Sequence, residues 1–135
     1  MKITVETHVK ADLGKVWDVY NNPADIKRWN AAQDDWHTTS STVDLREGGT
    51  FMSRMEAKDG SEGFDFEGTY RVVPKRLIEY RMSDGREAKI EFAERPDGAL
   101  VTVSFDAETE NPPELQRQGW QAILDNFGRY VEDKS

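Results

Sequence analysis

Residues 114–133 read ELQRQGWQAILDNFGRYVED. At about 100° per residue, Gly119, Trp120, Ile123, Leu124, Phe127, Tyr130 and Val131 share one arc of a helix. Arg117, Gln118, Gln121, Asp125, Gly128, Arg129 and Glu132 take the other. The preceding Asn111-Pro112-Pro113-Glu114 supplies a cap candidate, prolines where no intrahelical N–H is needed, and a carboxylate in the positive first turn. At about 1.5 Å per residue such a helix is roughly 30 Å long, enough to cross a small domain.

The apolar arc contains two residues that a helix built only to fill a core would avoid. Gln116 lies at its centre, and Gly119 costs about 1 kcal/mol relative to Ala without offering a side chain to pack. One reading is local: Gln116 sits in a frayed first turn, and Gly119 admits a neighbouring backbone. The other is a space beneath the helix, roofed by Trp120 and Phe127, with Gln116 as a polar contact.

Upstream, Lys2 to Val9 alternate as a strand with Ile3, Val5, Thr7 and Val9 on one face. Asp12 and Asn22-Pro23 then begin two short helices, the first presenting Val16, Trp17 and Tyr20, the second burying Ile26 and Trp29. Trp36 to Val43 reads as a second strand. After Gly48-Gly49 come five more, at Thr50 to Ala57, Gly63 to Val73, Arg76 to Met82, Arg86 to Glu94 and Ala99 to Asp106, separated by turn signals such as Asp59-Gly60 and Asp84-Gly85. Gly68, inside an aromatic strand face, marks a bulge, a bend or a close approach.

This order predicts an α+β fold. A seven-stranded curved antiparallel sheet must cover its apolar face, and the terminal helix is the one element long enough to do so. The inward-facing set includes Phe51, Met55, Phe64, Phe66, Tyr70, Tyr80 and Phe105. A strongly curved sheet of such large side chains, against a helix carrying Gly119, leaves a cavity between the two.

With 135 residues the chain suits one domain spanning 1–135, able to bury roughly two-thirds of its unfolded surface. It has no cysteine, which fits a reducing cytoplasm and removes disulfide and thiolate chemistry. Acids outnumber bases 26 to 18, for a net charge of -8, so nucleic acid and anionic lipid surfaces are poor partners. No run approaches the roughly 18 apolar residues of a membrane span, and the N-terminus lacks the apolar core of a signal peptide. Asp34, Asp35 and His37 are the one place where carboxylates and imidazole cluster. Nothing nearby completes a metal site or an acid–base pair, so the two Asp residues read as turn formers and no cofactor or metal is expected.

Several segments carry a resemblance: VWDVYNNPADIKRWN, DDWH, DLREGGTFMSRMEAKDGSEGFDFEGTY, the IEYRMSDGRE hairpin, and ENPPELQRQGWQAILDNFGRYVE. Nearly end to end, the chain resembles the bacterial branch of the proteins named for the activator of the heat-shock-protein-90 ATPase, within the START-like (SRPBCC) superfamily. The resemblance implies a helix-grip fold with an internal pocket for apolar ligands. It also implies little ATPase activation, because in the eukaryotic activator chaperone binding depends heavily on a separate N-terminal domain, and the likeness is to the C-terminal module.

The expectation for function is therefore a protein that binds a small apolar or aromatic ligand between sheet and helix. Its candidate contacts are Trp120, Phe127, Ile123 and Gly119 on the helix and Phe66 and Met55 on the sheet. Gln116, Tyr70, Tyr80 and His37 are the polar groups that could orient a ligand. A cyclase- or hydrolase-type enzyme in the same pocket is the first alternative, weakened by two histidines and no visible nucleophile–base pair. A chaperone-cofactor or stress module, as a homodimer or otherwise, is the second.

Overall fold

A computed structural model describes residues 2–31 and 35–134. Strand β1 (Lys2–Val9) leads into helices α1 (Leu13–Asn21) and α2 (Pro23–Trp29). Strands β2 (Trp36–Val43), β3 (Thr50–Ala57), β4 (Gly63–Val72), β5 (Leu77–Met82), β6 (Glu87–Arg95) and β7 (Gly98–Asp106) precede the long helix α3 (Pro113–Lys134). The seven strands form one antiparallel sheet in the order β1-β7-β6-β5-β4-β3-β2, curled around α3 as an α+β helix-grip. Every strand from β2 onward pairs with its chain neighbour, while β1 crosses to pair with β7, aligning Ile3 with Phe105 and Val9 with Ala99.

The helix starts follow from local chemistry. The Asp12 carboxylate accepts from the N–H groups of Gly14 and Lys15, and the Asn22 side chain accepts from Ala24 while Pro23 opens α2. Both caps satisfy backbone donors that have no partner inside the helix. The alternating strands bury one face each: Ile78, Tyr80 and Met82 on β5, Ala88, Ile90 and Phe92 on β6, and Val101, Val103 and Phe105 on β7.

The structure overturns one sequence expectation about the fold, at Gly128, and refines two, at Phe64 and Gly68. Gly128, assigned to the wet face of α3, is buried: it is where the helix lies on β1, and a Cβ there would sit 3.5 Å from Thr7 Oγ1 and 3.6 Å from Val9 Cγ2. Phe64 faces the space between sheet and helix as expected but is 51% exposed, since β4 begins beyond the reach of β5 and its first residues pair only with β3. The irregularity in β4 falls between Tyr70 and Val72 rather than at Gly68. Gly68 is instead a close approach, because a Cβ would meet the Arg81 carbonyl at 2.6 Å and the Phe51 ring at 2.9 Å. Of the Asp34, Asp35 and His37 cluster, Asp34 lies outside the described residues.

Candidate functional site: a cavity between sheet and helix

Between the concave sheet face and α3 lies a cavity of about 360 Å³, within the size range of small-molecule pockets. Its walls come from every layer of the fold. Trp120, Ile123 and Leu124 descend from α3; Phe51, Met55, Phe66, Ile78, Ile90 and Val103 rise from the sheet; Tyr20, Ile26 and Trp29 close it from α1 and α2. Trp120 is set by lying flat on Phe105, ring centroids 4.1 Å apart and planes 11° from parallel, with the edge of Phe66 at 6.2 Å. On the far wall Phe51 packs edge-to-face on Tyr80 at 4.7 Å and tilts against Tyr70 at 5.4 Å. Such pairs fix ring orientation as well as adding stability.

Seven of the ten residues singled out from sequence line this space: Gln116, Trp120, Ile123, Tyr70, Tyr80, Phe66 and Met55. Phe127 does not. It is fully buried behind the wall, with its ring 5.1 Å from Tyr20 and 4.9 Å from Trp29, so it holds those two wall residues in place. Gly119 is also outside the lining, and a Cβ there would meet nothing within 4 Å. His37 lies in a separate polar depression with Asp25, Lys27, Arg28 and Tyr130. In an α-helix, residues one apart in sequence diverge by about 100°, which turns Gly119 away while Trp120 points in.

Gln116 is buried, against the frayed-turn reading, but its amide is already engaged. Its oxygen accepts from the Glu108 N–H at 2.8 Å, and its nitrogen donates to the carbonyls of Glu108 at 3.1 Å and Asn111 at 2.8 Å. Both amide hydrogens are thereby used, so Gln116 fastens the β7–α3 loop over one end of the cavity. Sequence reading also missed wall residues. Tyr20 and Trp29 had been read as core of the short helices, and Arg86, Glu108 and Asn111 lie in turns whose approach to the helix depends on the sheet's curl.

Three phenols, of Tyr20, Tyr70 and Tyr80, stand among the polar groups of the cavity wall. Burial pushes the Tyr70 hydroxyl up to about 12, with nearby Asp44 adding to the shift. Burial also raises Tyr20, helped by Tyr70, and raises Tyr80 well above the ordinary value, helped by Tyr20 and Tyr70. All three phenols therefore remain protonated at neutral pH. The charged groups at the cavity are spoken for: Arg86 Nε donates to Asp84 at 2.6 Å, and Glu108 Oε1 accepts from the Asn111 N–H at 2.6 Å. Near Met55, the Thr38 hydroxyl donates to the Asn30 carbonyl at 2.7 Å. Among the described residues no group of three or more His, Asp or Glu is placed to hold a metal ion, and no helix is long and apolar enough to cross a membrane.

Residues 10–132 match the family described as activator of Hsp90 ATPase homolog 1-like protein. The solution structure of an AHSA1-like protein from Aeromonas hydrophila is 51% identical, with a TM-score of 0.93 over 99% of this chain and 94% of that one. A solution structure from Cytophaga hutchinsonii is 48% identical at a TM-score of 0.85, covering 98% of this chain and 93% of that one. A crystal structure from Nitrosomonas europaea reaches the same TM-score at 18% identity, over 100% and 96% of the two chains, a likeness of fold alone. No curated protein matches. The long helix gripped by a seven-stranded sheet, the family match over nearly the whole chain and the relatives near half identity agree: the chain belongs to the activator of Hsp90 ATPase homolog 1-like family, within the START-like superfamily.

Proposed function

We propose that this protein binds a small, largely apolar or aromatic molecule in the cavity between sheet and α3, and that it works in the cytoplasm. The carrying observation is the cavity itself: about 360 Å³, walled largely by aromatic and aliphatic side chains from the sheet, the short helices and α3. A helix and sheet meant only to pack would close such a space, because unfilled apolar volume costs stability in proportion to its size. The absence of cysteine fits a reducing compartment. Binding accounts for the side chains better than catalysis does, since among the described residues the wall presents neutral phenols and no nucleophile hydrogen-bonded to a base.

The test is uptake of an apolar fluorescent probe such as 1-anilinonaphthalene-8-sulfonate, in wild type and in Ile123→Trp, which adds bulk to the cavity wall. Saturable uptake by wild type, lost in a variant that melts as wild type does, supports the reading. A folded wild type that takes up neither this probe nor an uncharged naphthalene ends it. Native mass spectrometry of protein purified from its own host then searches for the molecule it carries.

A further inference from the structure

We propose that Tyr20, Tyr70 and Tyr80 form the polar end of the cavity and select a ligand bearing a neutral, hydrogen-bond-accepting oxygen, such as a ketone, on an apolar body. This rests on the cavity being a binding site and adds what its occupant must carry. Tyr70 and Tyr80 are cross-strand partners on β4 and β5, only 5% and 7% exposed, and both line the cavity together with Tyr20 from α1. Among the described residues none gives any of the three hydroxyls a hydrogen-bond partner, although buried hydroxyls are ordinarily satisfied. By contrast Tyr130, the fourth tyrosine, donates to Asp25 at 2.6 Å. No fully enclosed side-chain oxygen or nitrogen among the described residues lacks a partner, so the three phenol oxygens keep accessible surface. Three donors that face one apolar space, and that stay protonated at neutral pH, define a site for an acceptor.

The surrounding charges make that acceptor neutral. Asp44 acts on the Tyr70 hydroxyl but is itself bound by Arg46 Nε at 3.0 Å, and Glu108, which lines the cavity, accepts from the Asn111 N–H. Arg86, the one cation lining it among the described residues, is held by Asp84 at 2.6 Å. Each of these charged groups already has a partner, so a charged head group would gain no unpaired counter-ion, whereas a neutral carbonyl gains the phenol donors.

Three probes of near-equal shape separate the outcomes: 2-acetylnaphthalene, 2-ethylnaphthalene and 2-naphthoate, titrated against the fluorescence of Trp29 and Trp120 in the cavity wall. The ketone is expected to bind at least tenfold more tightly than the hydrocarbon, a difference of about 1.4 kcal/mol. Y70F/Y80F is expected to bring the ketone down to the hydrocarbon's affinity, leave the hydrocarbon unchanged, and melt no lower than wild type, because neither hydroxyl holds the fold together. Equal affinity of wild type for ketone and hydrocarbon overturns the proposal, independently of how the variant behaves. So does a preference that survives in Y70F/Y80F with Y20F added, or tighter binding of the naphthoate. Binding of the hydrocarbon without preference leaves the cavity reading standing alone; binding of none of the three removes both.

Discussion

The side-chain amide of Gln116 closes on both backbone polar atoms of Glu108, accepting its N–H at 2.8 Å and donating to its carbonyl at 3.1 Å. A third bond, to the Asn111 carbonyl, makes this one side chain the fastening of the loop between β7 and α3. Gln116→Leu keeps the volume and removes all three bonds, at a cost of about 1–3 kcal/mol from the backbone groups left unpaired. Amide exchange at Glu108 should quicken in the variant. If Gln116 served a ligand instead, apolar-probe affinity would fall with stability unchanged, which a thermal melt and one titration distinguish.

The two glycines of α3 should respond in opposite ways. Gly119→Ala adds a methyl where nothing lies within 4 Å and gains helix propensity, so stability should rise by up to about 1 kcal/mol with probe binding unaltered. Gly128→Leu drives a side chain into Thr7 and Val9 of β1 and should cost on the order of 1–3 kcal/mol by overpacking. Paired thermal melts check both signs.

Phe127→Ala should be among the most damaging single changes, at about 3–5 kcal/mol. The ring is fully buried and meets Tyr20 and Trp29 edge-on. Because those two rings are cavity wall, a surviving variant should also bind apolar probes more weakly.

Acid should loosen the junction of α2 and α3. Burial by itself would raise the Asp25 pKa, but hydrogen bonds from Lys134 at 2.7 Å and Tyr130 at 2.6 Å, with the Lys134 charge, bring it below the ordinary 3.8. A lowered folded-state pKa means the stabilisation is present above the unfolded value and is lost as pH falls through the folded one. Asp25→Asn should therefore cost about 1–3 kcal/mol at pH 7 and converge on wild type as the pH falls through the lowered folded-state pKa. Melting curves across that range give the comparison.

The pattern of hits and misses in the sequence follows physical lines. Strands and helices were legible because alternation and 3.6-residue spacing are local, and Asp12, Asn22 and Pro23 announce helix starts within three residues. Gln116 and Gly119 were rightly singled out as odd, but what an oddity is for depends on what lies opposite. Gln116 met its own chain's loop, and Gly119 met open space. Gly128 was misplaced because a residue without a side chain carries no hydropathy signal; only the passage of β1 beneath it reveals why no larger residue sits there. Tyr70 and Tyr80 were among the polar groups named as able to orient a ligand, but Tyr20 escaped for a related reason. Tyr20 stands 50 and 60 positions from Tyr70 and Tyr80, and only the strand register and the seating of α1 bring the three to one space.

The seating of α3 on β1 also governs the order in which the molecule can be completed. Gln121 donates to the Glu6 carbonyl across 115 positions, and the Lys10 N–H donates to Glu132, so the first strand, which pairs with β7 at the sheet's edge, is not covered until the last helix has left the ribosome. At roughly 5–20 residues per second, the 115 positions between Glu6 and Gln121 correspond to about 6–23 s in which the apolar floor stays uncovered. Contacts of such separation also slow the final closure, since the intervening chain must be looped before they repay it. The newly made chain is thus most vulnerable to self-association just before α3 docks, when the excess of acids over bases along the chain works to keep neighbouring copies apart.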